Sequence, residues 1–207
     1  MSGDTTHDRL LNAAIGIFAG KGYRDATVAE VCDAAGANIA SVNYHFGSKE
    51  SLFRLVLREA FQRANEIYPI HGNLAPDAAP ELRLHAFMAA LIRRGFDEGP
   101  AGDFNRIMIH QGTRESAPDE LIHSEIARLE GDTLESILSS LLGTRARELL
   151  LLAKMDVIGL CVFPGVARRV RSYLFPEAPQ PARLKQYIDR QHAFALAGLS
   201  TLAPASA

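Results

Sequence analysis

Apolar positions recur along this chain at helical spacing, three and four residues apart, and nowhere alternate with a period of two. Leu10, Leu11, Ala14, Ile15, Phe18 and Ala19 form one stripe and predict a helix from about Thr6 to Ala19. Gly20 and Gly22 flank Lys21 and suit its end. A shorter set follows, Val28, Val31, Cys32 and Ala35, opened by a T-x-x-E capping box at Thr27 and Glu30 and closed by Gly36. Asn38 then caps a second short helix from Ile39 to about Phe46, in which Ile39, Val42 and Phe46 fall on one side and are expected to pack inward. Gly47 stops it. Ser48 caps a third helix that starts at Lys49, carries Leu52, Phe53, Val56, Leu57, Ala60, Phe61 and Ala64, and ends near Tyr68 before Pro69.

Two short helices separated by a glycine turn have helix-turn-helix spacing. The loop from Pro69 to Pro80 holds three prolines and a glycine and reads as a domain boundary. Beyond it, helices are expected over Pro80 to Asp97, Asp103 to Gly112, Pro118 to Leu142, Arg145 to Val162 and Ala182 to Leu202. EGPAG at 98–102, Pro164-Gly165 and FPEAPQP are expected breakers. The fold class is all-α. An N-terminal three-helix helix-turn-helix domain (1–68) precedes a larger C-terminal helical domain (69–207).

Composition bounds what this fold can do. Of 207 residues, 47% are apolar and 22% charged, as in an ordinary globular protein. The net charge is only −2, so any nucleic-acid site must rest on a few placed cations. Residues 1–60 carry six Lys or Arg against seven Asp or Glu, for a net of −1. The two cysteines, Cys32 and Cys161, are far apart with no CxxC, which suits a reduced, cytoplasmic chain. The first residues place two acids before the apolar run and are not expected to be a signal peptide. The most apolar stretch, Leu149 to Val162, contains Lys154 and Asp156 and is expected to be too short and too charged to span a bilayer. No membrane role is expected.

The chemistry concentrates in Asn38 to Phe46. Ala40, Ser41, Asn43 and Tyr44 fall opposite the inward side. They are small or hydrogen-bonding, so such a helix can lie close to base edges in a major groove. Tyr44, His45 and Lys49 stand at its far end, where a phenol, an imidazole and an ammonium suit phosphates. Thr27 and Asn38, at the helix caps, complete the candidate DNA contacts.

The combined motifs carry a family resemblance. Phe18-Ala19-Gly20-Lys21-Gly22-Tyr23 has the form F-x-x-x-G-Y. Thr27 to Gly36 has the form T-[VI]-x-x-[IV]-[AC]-x-x-A-G. Tyr44-His45-Phe46-Gly47-Ser48-Lys49-Glu50-Ser51-Leu52 closes the segment. From Thr6 to about Phe61 the chain resembles the DNA-binding domain of TetR-family regulators. One departure is Asn43, which directly precedes Tyr44 in the recognition helix. An asparagine can read adenine bidentately or bond a phosphate. The run Phe104 to Glu125 resembles the C-terminal domain of a CecR-like subgroup, which names no ligand.

The resemblance implies a homodimer built from the last two long helices, a near-palindromic double-stranded DNA operator, and repression relieved by a small-molecule effector. Leu149, Leu150, Leu152, Ala153, Val157, Ile158, Leu160 and Cys161 would serve the interface from one helix. Tyr187, Ile188, Phe194, Leu196 and Leu199 would serve it from the other. Phe87, Leu91, Phe104, Met108, His110 and Ile122 are the candidate effector contacts, with Arg106, Gln111 and Arg114 as further polar candidates. No cofactor is implied. Asp119, His123 and Glu125 make too sparse a set for a metal. No P-loop, GxGxxG or GxSxG occurs. Two other readings remain: a DNA-binding dimer without effector, and a helical His/Cys enzyme that would need a cysteine beside a histidine in an open cleft.

Overall fold

The computed structural model describes residues 5–75, 77–113, 117–167, 170, 172–173 and 180–202. Ten helices cover most of these residues, and no strand occurs among them. They are α1 (Thr6–Asp25), α2 (Val28–Ala35), α3 (Ile39–Phe46), α4 (Lys49–Ile67), α5 (Pro80–Phe96), α6 (Pro100–Thr113), α7 (Asp119–Glu130), α8 (Thr133–Leu142), α9 (Arg147–Val166) and α10 (Pro181–Leu202). Arg114, Arg168, Arg169, Arg171 and residues 175–179 of the FPEAPQP breaker lie outside the described residues.

Four element boundaries differ from the expected ones. The first helix continues past Ala19 to Asp25, with a kink at Gly22, which has φ 79. A Cβ there would stand 3.0 Å from the Cβ of His110, so both backbone and packing require glycine. The break expected at EGPAG is narrower, because α6 begins at Pro100 itself. Proline is at home in a first helical turn, where its missing N–H has no partner to lose. The single helix expected over Pro118 to Leu142 is two, divided at Gly131 and Asp132. Finally, α9 runs through Pro164 to Val166. That proline sits in the last turn, and Ala167 still donates to the Phe163 carbonyl at 2.8 Å.

The described helices gather into two compact units. One contains residues 1–66 and 98–129, and the other 67–97 and 130–207. This differs from a single cut after residue 68, because α6 packs on α1 and groups with the N-terminal helices.

In the first unit Leu10, Phe18, Leu52, Phe53, Val56 and Leu57 are buried. Phe18 meets Phe53 edge-on at 5.0 Å, and Phe61 meets Phe104 edge-on at 5.2 Å. These aromatic contacts join α1 to α4 and α4 to α6. The two short helices, α2 and α3, pack on α1 of this group.

In the second unit α5, α8, α9 and α10 pack on one another. Its buried side chains include Leu84, Met88, Ile92, Leu138, Val157 and Ile188. Histidines fasten α10 to α5: His85 Nε2 lies 2.9 Å from Asp189, and His192 Nε2 donates to the Glu81 carbonyl at 3.0 Å. Arg94 is buried, and its guanidinium donates to the Tyr68 carbonyl at 2.6 and 3.2 Å. A buried charge held in this way costs far less than one without hydrogen bonds.

The expected interface residues range from buried to exposed, with Leu149, Ile158, Leu160, Tyr187 and Leu196 in between. Leu150, Ala153, Val157, Cys161, Ile188 and Leu199 are core, whereas Leu152 and Phe194 are exposed. The expectation that the apolar stretch is too short to span a bilayer is corrected. At 20 residues, α9 is long and apolar enough by length and composition alone. About a third of that stretch is nevertheless buried.

Candidate nucleic-acid interface

Two cap residues set the geometry of α2 and α3. Thr27 Oγ1 accepts the Glu30 N–H at 3.2 Å, and the Glu30 carboxylate accepts the Thr27 N–H at 2.9 Å. Lys21 also bonds Glu30. That bond, followed by those from Thr27, holds the Glu30 carboxyl at about 2, well below the usual carboxylate range. Gly36 ends α2 in the left-handed conformation. Asn38 Oδ1 then accepts the Ser41 N–H at 2.9 Å and the Ser41 hydroxyl at 3.1 Å. Thr27, Asn38 and Ser41 are therefore committed to the caps, and they fix where the second helix points.

Only Val42 and Phe46 anchor α3 inward. Ala40, Asn43 and His45 are exposed, and Tyr44 is 85% exposed. One inward assignment is corrected: Ile39 is 55% exposed. The helix has barely two turns, and its first residue stands beyond the neighbours that bury Val42. Periodicity alone could not show this, because it fixes a face and not how far the supporting helices reach.

The far end of α3 is braced by aromatic contacts. His7, from the first turn of α1, stacks on Phe46 with centroids 4.9 Å apart and meets His45 edge-on at 5.8 Å. His45 in turn meets Tyr44 at 5.0 Å. Ser48 Oγ accepts the Ser51 N–H at 3.1 Å and opens α4. Lys49 Nζ lies 4.5 Å over the Tyr23 ring. Burial there pushes the lysine pKa down, while the charges of Asp25 and Glu30 push it up. Neither Tyr23 nor His7 is marked by sequence spacing as part of the site, since both come from α1.

Most of the nearby cations are occupied. Lys21 pairs with Glu30, Arg54 with Glu50, and Arg58 with Glu125. Arg9 donates to the Ala35 carbonyl at 3.2 Å. The surface around α3 therefore offers phosphate mainly hydrogen-bond donors and Lys49, and little excess charge.

Residues 10–56 match the model of bacterial regulatory proteins of the tetR family. Residues 80–199, more than half of the chain, match the C-terminal domain of the HTH-type transcriptional dual regulator CecR. This protein belongs to the TetR family of transcriptional regulators. Proteins of this family bind DNA and regulate transcription. The CecR-like character of its C-terminal part extends well beyond the run from Phe104 to Glu125.

Among similar proteins, the HTH-type transcriptional regulator SrpR of Pseudomonas putida is 27% identical over 134 residues, covering 65% of this chain and 58% of SrpR. TtgW, an HTH-type transcriptional regulator of the same species, is 27% identical over 132 residues, covering 64% of this chain and 91% of TtgW. The chain thus spans little more than half the length of SrpR. The structure of FadR from Bacillus subtilis in complex with stearoyl-CoA is similar with a TM-score of 0.64 at 14% identity, covering 92% of this chain and 97% of FadR. At that identity the likeness shows the fold alone.

The residues expected to touch an effector fall in both units. Phe87 and Leu91 are buried on α5 of the second. Phe104, Met108, His110 and Ile122 belong to the first, where Phe104 packs on Phe61 and His110 against Gly22. Arg106 donates to Asp103 and to the Gly99 carbonyl, and Gln111 accepts the Ala117 N–H. In the second unit, an open cleft of 780 Å³ lies between α9 and α10, lined by Met155, Leu160, Tyr187, Phe194 and Leu199 among others. None of the effector candidates lines that cleft. Both cysteines are buried, and burial pushes the Cys161 thiol up to about 12. Such a thiol is far from the thiolate a nucleophile requires.

Proposed function

We propose that this regulator binds a near-palindromic operator as a homodimer, represses transcription from it in the cytoplasm, and is released by a small-molecule effector. The exposed face of α3 carries the reading. It presents small and hydrogen-bonding side chains at Ala40 and Asn43, held in place by caps at both ends. Such a face suits the major groove, with Asn43 against a base edge and Tyr44, His45 and Lys49 on the flanking backbone. Thr27, Asn38 and Ser41 position the helix and offer further contacts to phosphate. Residues 1–68 serve as the DNA-binding domain, and 69–207 bind effector and partner.

The dimer is supported by a second observation. On α9 and α10, Leu151, Leu152, Met155, Phe163 and Phe194 are exposed around an open apolar cleft. An apolar face of this kind is characteristic of a protein interface. Doubling also suits a reader with few free cations, because each half-site then contributes a modest affinity and the two combine. Phe87, Leu91, Phe104, Met108, His110 and Ile122 remain the effector candidates. An effector acts by binding one conformation of the regulator better than the other.

Three measurements on the whole protein test the proposal. Selection from random duplex DNA should recover a near-palindrome. Light scattering should return the mass of two chains, and a thermal-shift screen of small molecules should find compounds that stabilise the protein and weaken operator binding. Recovery of no operator would overturn the reading. A stabilising screen without hits would leave a DNA-binding dimer without an effector.

A further inference from the structure

Ile39 opens α3 and is the exposed aliphatic side chain of that helix. It is 55% exposed, whereas Val42 and Phe46 on the same short helix are 1% and 6% exposed. Asn38 and Ser41, its polar neighbours, are bonded to each other. Ile39 therefore projects from the first turn with Ala40 beside it, and Asn43 follows one helical turn later on the same side. Its β-branch stiffens χ1, so little side-chain freedom is lost when it makes a contact. In a major groove, the apolar partner for such a group is the C5-methyl of thymine.

We infer that Ile39 is a specificity-determining residue that packs on a thymine methyl in each operator half-site. The inference rests on the proposed DNA-reading role of α3. Positions four apart on a helix are about 6 Å apart along its axis, and successive bases of one strand rise about 3.4 Å. The thymine read by Ile39 thus stands one or two base steps from the base beside Asn43.

The test uses the full-length regulator and the operator it selects from random duplex DNA. Each thymine is replaced in turn by uracil, which removes only the methyl group. One position per half-site should lose affinity, by about three- to tenfold for wild type, on the scale of a buried methyl contact. Ile39→Ala should bind the thymine operator about as weakly as wild type binds the uracil one, and should be indifferent to uracil at that position. Ile39→Val should keep most of the discrimination. Because the side chain is exposed, an unchanged circular dichroism spectrum and melting temperature are expected for both variants.

An operator with no uracil-sensitive position would overturn the inference while leaving the DNA-binding reading intact. So would an Ile39→Ala variant that keeps the wild-type pattern of sensitivity and binds uniformly more weakly. Failure to select any operator would remove both.

Discussion

Arg58 on α4 donates two hydrogen bonds, at 2.8 and 2.7 Å, to the carboxylate of Glu125 on α7. The Glu125 side chain is only 4% exposed, and Arg54 stands 3.7 Å from the same carboxylate. The pair joins α4 to a helix from far along the chain. Removing the carboxylate leaves two guanidinium groups facing a partly buried gap. Because Arg58 is about a third exposed, the cost falls below that of a fully buried pair. Glu125→Ala should destabilise the protein by about 2–3 kcal/mol in urea unfolding.

The same pair has a pH signature. The bonds from Arg58 hold the Glu125 carboxyl below its ordinary value of 4.5. A depressed folded-state pKa stabilises the fold above the unfolded value, and that stability is lost as the pH falls through the folded one. The wild-type urea midpoint should therefore fall more steeply than that of Glu125→Gln as the pH is taken below 4.5. Parallel curves for the two proteins would show that the charge contributes nothing.

Lys49 stands beside the end of α3, its ammonium over the Tyr23 ring. Lys49→Ala should weaken binding to every duplex alike and lower the salt slope of log K by about 1 per contact removed. A slope equal to that of wild type would place the lysine off the DNA.

Asn43 is exposed in the middle of α3, one residue before Tyr44. If it reads a base, Asn43→Ala should cost about 1–3 kcal/mol on the selected operator and relax a single position. Uniform weakening across all sequences would assign it to the backbone instead.

Met155 is 72% exposed on α9 beside the apolar cleft. Met155→Asp should leave the fold of each chain intact, because the side chain makes little of the core. It should halve the mass measured by light scattering and lower operator affinity about a hundredfold, as the two half-sites cease to be bound together. An unchanged mass would move the interface elsewhere.

Much of the N-terminal helical arrangement was legible from local signals. The T-x-x-E box, the asparagine cap and the glycine between α2 and α3 act over three or four residues, and the structure repeats each of them. Long apolar periodicities located α4, α5 and α10 for the same reason. Boundaries near proline were less legible, because proline is tolerated in the first turn of α6 and the last turn of α9.

Sequence alone determined that this protein is helical, where its two short helices lie, and which family it belongs to. All three are written in short-range patterns of caps, turns and apolar spacing. Tertiary structure decided which of those apolar residues are core. It buried Val157 and Cys161 but left Met155 and Phe194 open, and it exposed Ile39 while burying Val42. It also brought His7 to Phe46, Lys49 to Tyr23 and Arg58 to Glu125. Burial depends on how far neighbouring helices extend, and such pairings join residues remote in sequence, so neither is encoded in the spacing along one helix.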